Sequence, residues 1–250
     1  MVFDEILSKR ENKTIYRVGG YTVKVFEDDY PVTDIFSEAL NNTRAQEVGL
    51  KVPEVFEISR YEGKWTLRLR YIKGDKLSDM IEKDLDNAED YIRDIVTLQT
   101  EVHSKQSRKL TMLTDLIKRN LSQTSFDSMT RYDLQIRLES MPKNYKMCNC
   151  NFIPSNIIIS DDDHSPYILD WRLATQGNAS ADAVMTYLYL LYKYKDKVAE
   201  LYLDMFCEIS KIEKWYVKRW IPIIAAAQTV NANEDQKRFL FGFVDVRKYW

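Results

Sequence analysis

The pattern of hydrophobic and polar positions changes character near residue 72. Before that point it alternates. Lys13 to Arg17 and Tyr21 to Phe26 alternate and are rich in β-branched and aromatic residues, with Gly19-Gly20 between them, which is a hairpin signal. Val55 to Ser59 and Trp65 to Tyr71 repeat the alternation across Arg60-Tyr61-Glu62-Gly63-Lys64. Between these pairs Ile35, Phe36, Ala39, Leu40, Thr43 and Val48 fall roughly on one face of a helix over Val32 to Val48. Asp34 suits its first turn and Gly49 closes it. Beyond residue 72 the spacing is mostly helical. It predicts helices over Leu77 to Leu85, Asn87 to Ser104, Leu113 to Leu121, Thr130 to Met141, Ala183 to Tyr194, Val198 to Ile209, Trp215 to Ala227 and Gln236 to Val244.

One stretch, Met147 to Ala174, interrupts the helices. Ile157-Ile158-Ile159 and Tyr167-Ile168-Leu169 are too short for helices and rich in β-formers, and the residues from Ser160 to Pro166 are turn chemistry. A β-hairpin follows. Asn151 and Asn156 sit in the loop that enters it and Asp170 where it exits, so the hairpin is expected to gather three polar side chains at one end of a small sheet. Thr175 to Asp182 reads as a loop opening the next helix, with Ser180 and Asp182 in its first turn.

Composition narrows the function classes. With 250 residues, 45% hydrophobic and 30% charged, the chain suits one large domain or two lobes sharing an interface, with a substantial core. A net charge of −2 and the lack of a long Lys/Arg cluster argue against nucleic-acid binding. Three cysteines, an odd number, with no signal peptide point to a reduced, cytoplasmic protein. Cys148-x-Cys150 lacks a second pair and the chain has only two histidines, so structural zinc is not expected; His103 reads as a capping or packing residue. Apolar runs such as Ile221 to Ala227 are far shorter than the roughly 20 residues that span a bilayer, so no membrane segment is expected. By periodicity alone Lys24, within Val23-Lys24-Val25, lies on the solvent face of its strand, and Glu38 on a solvated helix face.

The stretch around the hairpin resembles the catalytic segment of the aminoglycoside phosphotransferase family, whose pattern is H-G-D-x-x-x-x-N, two strands, then I-D-W. Here it reads Asn149-Cys150-Asn151, four residues, Asn156, and later Leu169-Asp170-Trp171, with Phe152, Pro154 and Ser155 also in agreement. The triplet is degenerate: Asn149 stands for His, Cys150 for Gly and Asn151 for the catalytic Asp. The resemblance implies an α+β, two-lobed protein-kinase-like fold, with a small β-rich N-lobe and one helix at 1–72 and a larger helical C-lobe at 73–250 carrying the hairpin at 147–174. It implies ATP and Mg²⁺ as cofactors, Lys24 paired with Glu38 to hold the phosphates, Tyr71 and Ile72 at the hinge beside the adenine, and Asn156 and Asp170 as metal ligands. It makes Asp182 a brace for the catalytic loop. No glycine-rich loop precedes Lys24, and only Ser8 to Lys13 stands in its place. An amide at Asn151 accepts a hydrogen bond but no proton, so the expected protein binds a nucleotide and transfers phosphate weakly. The alternative is a working phosphotransferase for a small hydroxylated acceptor. Its acceptor, or a protein partner, is not identified. Acidic residues that would line an aminoglycoside pocket are limited to Glu234, Asp235 and Asp245, interleaved with Lys237, Arg238 and Arg247, which reads as a solvated helix end.

Overall fold

The computed structural model describes residues 3–84, 87–245 and 248, and in it the chain divides into two compact units. One comprises residues up to 83 together with 154–173, the other 84–153 together with 174–250. Leu85 and Arg247 lie outside the described residues.

The first unit is built on an antiparallel sheet of β1 (Glu5–Arg10), β2 (Lys13–Val18), β3 (Tyr21–Phe26), β4 (Val55–Tyr61) and β5 (Lys64–Arg70), in the order β1-β2-β3-β5-β4. Four of its strands, β2 to β5, lie where the alternation places them. Glu62 and Gly63 both take positive φ, at 48° and 85°, which is what a two-residue hairpin turn demands. β1 was not expected. It is a mostly exposed edge strand, so no burial pattern marks it, and its turn at Glu11-Asn12 has neither Gly nor Pro. The segment from Ser8 to Lys13 is therefore a strand end and a tight turn.

Helix α1 (Val32–Glu47) covers one face of this sheet, where Phe26, Tyr30, Ile35, Ala39, Leu67 and Leu69 form the core. Its buried stripe differs from the expected one. Phe36 and Leu40 are about half exposed, whereas Glu38, Asn41 and Asn42 are buried. Ile35, Glu38, Ala39, Asn42 and Ala45 are spaced three and four apart, and Phe36 and Leu40 stand about 100° off that line. The polar residues turn inward because each finds a partner: Glu38 meets Lys24, Asn41 donates to the Trp171 carbonyl at 3.2 Å, and Asn42 donates to the Pro53 carbonyl. Phe36 packs edge-on against Trp65 instead.

A second, three-stranded sheet completes this unit. β6 (Gly74–Lys76) pairs with β8 (Ile157–Ser160), which pairs with β9 (Pro166–Ile168), and α2 (Leu77–Lys83) follows β6. The predicted hairpin is thus present, with β6 added as an edge strand two residues after the expected hinge at Tyr71 and Ile72. Gly74 makes that possible: its φ is 153°, and a Cβ there would stand 1.9 Å from the Ile159 carbonyl oxygen.

The second unit is helical. It contains α3 (Ala88–Ser104), α4 (Leu113–Gln123), α5 (Ser128–Ser140), α6 (Ala179–Ser210), α7 (Lys214–Lys218), α8 (Ile221–Gln228) and α9 (Glu234–Phe241). β7 (Lys146–Cys148) pairs with β10 (Thr175–Gly177), a short strand where a loop was expected. The break expected between Tyr194 and Val198 is present within α6, where Lys195 has φ 68° and ψ −175°. The single helix expected over Trp215 to Ala227 is two, α7 and α8. Pro222 has no N–H to give the carbonyl four residues back, and its ring crowds that carbonyl, so the helical ladder stops there and restarts. No helix of the described residues is long and apolar enough to cross a membrane.

Candidate functional site

β2 and β3 decide which way the first charged groups point. Lys24 pairs with Ile15 and Leu67, and its side chain shares their face of the sheet, the face that α1 covers. It is therefore buried, at 7% exposure, and not on the solvent face that alternation suggests. Glu38, the buried acid of α1, lies directly opposite, and Lys24 Nζ donates to Glu38 Oε1. Burial by itself would push the Lys24 ammonium down, but the charges of Glu38 and Asp170 outweigh it and hold the group above its ordinary pKa.

Asp170 reaches the same place from the hairpin. The Leu169 N–H donates to the Asn156 carbonyl at 2.8 Å, which closes the hairpin end and brings Asn156 beside the Asp170 segment. Asp170 has φ 55°, the left-handed region that an aspartate tolerates better than most residues. The segment after it is tied to α1. Asn41 donates to the Trp171 and Arg172 carbonyls, and Arg172 pairs with Asp34 at 2.9 Å. Trp171 is fully buried and donates its indole N–H to the Ile168 carbonyl at 3.0 Å. Burial pushes the Asp170 carboxyl up, yet Lys24, Lys13, Arg172 and Arg10 together hold it below the usual carboxylate value, so it is an anion.

A cleft opens onto these groups. Lys24, Glu38, Asn156 and Asp170 line it, and so do Tyr71 and Ile72. Leu7, Ile15, Leu69 and Ile158 give it apolar walls. Six of the sequence-predicted site residues therefore share one cleft within the first unit. Sequence reasoning did not single out Lys13 and Arg10, which also line it; the register of β2 against β3 was the signal that would have found Lys13.

Asn149 and Asn151 belong to the second unit. Asn149 is fully buried, and its Oδ1 accepts the Asn151 N–H at 3.0 Å. Cys150 sits at φ 61°, where glycine is favoured, with its buried thiol 3.1 Å from the Thr175 hydroxyl. Burial, with the Asp182 charge added, pushes the Cys148 and Cys150 thiols well up, so both are protonated and unreactive.

A polar network holds this loop to the helices. Asp182 Oδ1 accepts the Cys150 N–H at 2.7 Å, and Thr186, one turn along α6, donates to the Phe152 carbonyl at 2.8 Å. Asp182 Oδ2 in turn meets His103 Nε2 at 2.8 Å and the Gln99 amide at 3.1 Å, both from α3. Gln99 also bonds Thr186, and the Tyr202 hydroxyl donates to the Gln99 side-chain oxygen. His103, Cys148 and Asp182 lie close enough to hold a metal ion together, but the acid's oxygens are already engaged by three donors. The loop is thus fixed on both sides of Asn151 by groups that neighbour one another on two helices.

Solved structures of several known proteins share this architecture. A thermostable mutant of aminoglycoside phosphotransferase APH(4)-Ia, in ternary complex with ADP and hygromycin B, is 18% identical, with a TM-score of 0.70 over 97% of this chain and 92% of that one. The fold is that of the aminoglycoside phosphotransferases. LicA in complex with AMP shares this kinase-like fold at 14% identity and a TM-score of 0.67, over 100% of this chain and 92% of that one. So does a choline/ethanolamine kinase family protein from Mesorhizobium loti, at 14% identity and 0.60, over 98% and 86%. No family model and no curated protein sequence matches the chain. The small antiparallel sheet with one helix and the larger helical part are what such a fold consists of.

Proposed function

We propose that this protein binds ATP with Mg²⁺ in the cleft of its first unit and transfers the terminal phosphate weakly or not at all. The observation that carries the reading is the convergence of Lys24, Glu38, Asn156 and Asp170 on one cleft. An ionised carboxylate beside a neutral amide oxygen is a hard-oxygen donor set of the kind Mg²⁺ takes. Asp170 and Asn156 would hold the ion, and Lys24, fixed by Glu38, would meet the phosphates. When bound, the ion supplies positive charge against the phosphate oxygens. The apolar walls from Leu7, Ile15, Leu69 and Ile158 suit a flat heterocycle, and Tyr71 and Ile72 line the same cleft. The solved relatives of the same fold hold ADP, AMP-PNP and AMP, which supports a nucleotide here.

The weak transfer follows from Asn151. At the position where the resemblance places a proton acceptor, the chain offers an amide, and loss of a general base costs about 10²- to 10⁴-fold. The loop that carries it is nonetheless held by Asp182 and Thr186. The acceptor, if transfer persists, would be a small molecule with a hydroxyl group.

Calorimetric titration with ATP, with and without Mg²⁺, tests the binding. We expect Mg²⁺ to tighten it and Asp170→Ala to abolish that gain. No heat or thermal shift at millimolar ATP would overturn the reading. The double change Asn149→His with Asn151→Asp should raise phosphate release or transfer by about 10²-fold. An unmodified chain that already turns over at the ~1–100 s⁻¹ typical of kinases would replace the impaired reading with that of an active phosphotransferase.

A further inference from the structure

We propose that Lys13 is a second phosphate-binding ammonium in the cleft, so that the site selects nucleotides carrying two or more phosphates over the monophosphate and the nucleoside. The inference rests on the nucleotide reading above and adds to it a residue and a preference among nucleotides.

The register of β2 and β3 places Lys13 there. Lys13 pairs with Phe26, and Ile15 pairs with Lys24. Directly paired residues share a face of the sheet, as do residues two apart on one strand. Lys13 and Lys24 are therefore diagonal neighbours on the face that α1 covers, and both line the cleft.

Lys13 is 94% buried by its 6% exposure, yet its situation is unlike that of Lys24. Lys24 has the Glu38 carboxylate. No carboxylate among the described residues reaches Lys13 Nζ within ion-pair distance. Burial and the Lys24 charge lower its pKa, and the more weakly felt charges of Glu38 and Asp170 offset only part of that. Its Nζ also stands 5.9 Å from the centroids of both Phe26 and Tyr30, at the outer limit of a useful cation–π contact.

A buried cation beside a like charge is costly to keep unless an anion joins it. The cleft leads to both lysines, and one phosphate cannot satisfy two ammonium groups as well as adjacent phosphates can. The chain has no glycine-rich loop to offer backbone N–H groups to a polyphosphate, and β1 and β2 meet in the tight turn at Glu11-Asn12 that Lys13 follows. Lys13 supplies from a side chain the positive charge that such a loop would supply from its backbone.

The test titrates ATP, ADP, AMP and adenosine into the full chain and into Lys13→Met, which keeps the aliphatic stem over the rings and removes the charge. We expect Lys13→Met to lose tenfold or more in affinity for ATP and ADP, less than threefold for AMP, and nothing for adenosine. Its melting temperature without ligand should equal or exceed that of the wild type, because a buried charge without a carboxylate is gone. Lys13→Arg should keep most of the preference for ATP. Equal ATP affinity in wild type and Lys13→Met would overturn the inference while leaving the nucleotide site standing. So would a parallel loss of adenosine binding or a lowered melting temperature, since either makes Lys13 a packing staple. A wild-type chain that binds none of the four ligands would overturn the nucleotide reading, and this inference with it.

Discussion

Asp182 shows how one side chain can fix a loop. It is fully buried and accepts from the Cys150 backbone, His103 and Gln99. Each donor loses its partner if the carboxylate is removed, and an unsatisfied buried donor costs about 1–3 kcal/mol. Asp182→Ala should therefore lower unfolding free energy by roughly 3 kcal/mol or more. Urea denaturation measures this directly, and a loss below about 1 kcal/mol would mean that the network relaxes around the gap. The role of Asp182 as a brace could be expected from the family pattern, but its partners could not. Gln99 and His103 are more than 75 residues away in sequence, and nothing in local periodicity joins them to it. The same holds for Lys24 and Glu38. Periodicity assigned each to solvent; only the family resemblance, with its strand lysine followed by a helix glutamate, suggested that they pair, and the structure shows the pair to be buried.

At the scale of elements, legibility followed burial. The long helices of the second unit announce themselves because a continuous apolar stripe is buried in each, as with Ile92, Ile95, Val96 and Val102 of α3. The three-residue strands β6 and β10 are too short to show any period, and β1 buries too little to show one. α1 misled because its inward face is partly polar: its true stripe runs through Glu38 and Asn42, and its exposed Phe36 and Leu40 looked like core. Gly74 is an exception in which a single residue type carries the information for an element. Any side chain at Gly74 meets the Ile159 carbonyl oxygen, and φ there is 153°. Gly74→Ala should thus disrupt the pairing of β6 with β8 and cost about 2–4 kcal/mol, well above the usual penalty of a surface substitution. Amide hydrogen exchange can locate the damage. Faster exchange at Asp161, whose N–H donates to the Lys73 carbonyl, is expected first. Protection there equal to wild type would show that the backbone shifts without losing the strand.

Across the whole molecule, buried charge couples the proposed function to stability. The first unit keeps Lys24 and Glu38 as a buried pair, and taking away one partner of such a pair typically costs about 3–5 kcal/mol because the other is stranded. Lys24→Met should destabilise the chain by roughly that amount near pH 7, and Lys24→Met with Glu38→Leu should recover much of it. The pH dependence has a definite sign. Lys24 is held above its ordinary pKa in the folded chain, so its contribution is complete below the unfolded value of about 10.4 and fades as pH rises through the higher folded value. Lys13 is held below its ordinary pKa, so the unfolded chain binds its proton more tightly, and stability gained from its deprotonation rises as pH climbs toward about 10.4. The two lysines of one cleft therefore oppose each other on the alkaline side. Urea midpoints measured from pH 7 to pH 11 should show Lys13→Met converging on wild type as Lys13 loses its proton. The gap between Lys24→Met and wild type should stay constant over most of that range and narrow only at its upper end. Convergence of the Lys24 variant below pH 9 would mean that Glu38 does not hold that proton, and the buried pair could not then be the fixed point of the cleft.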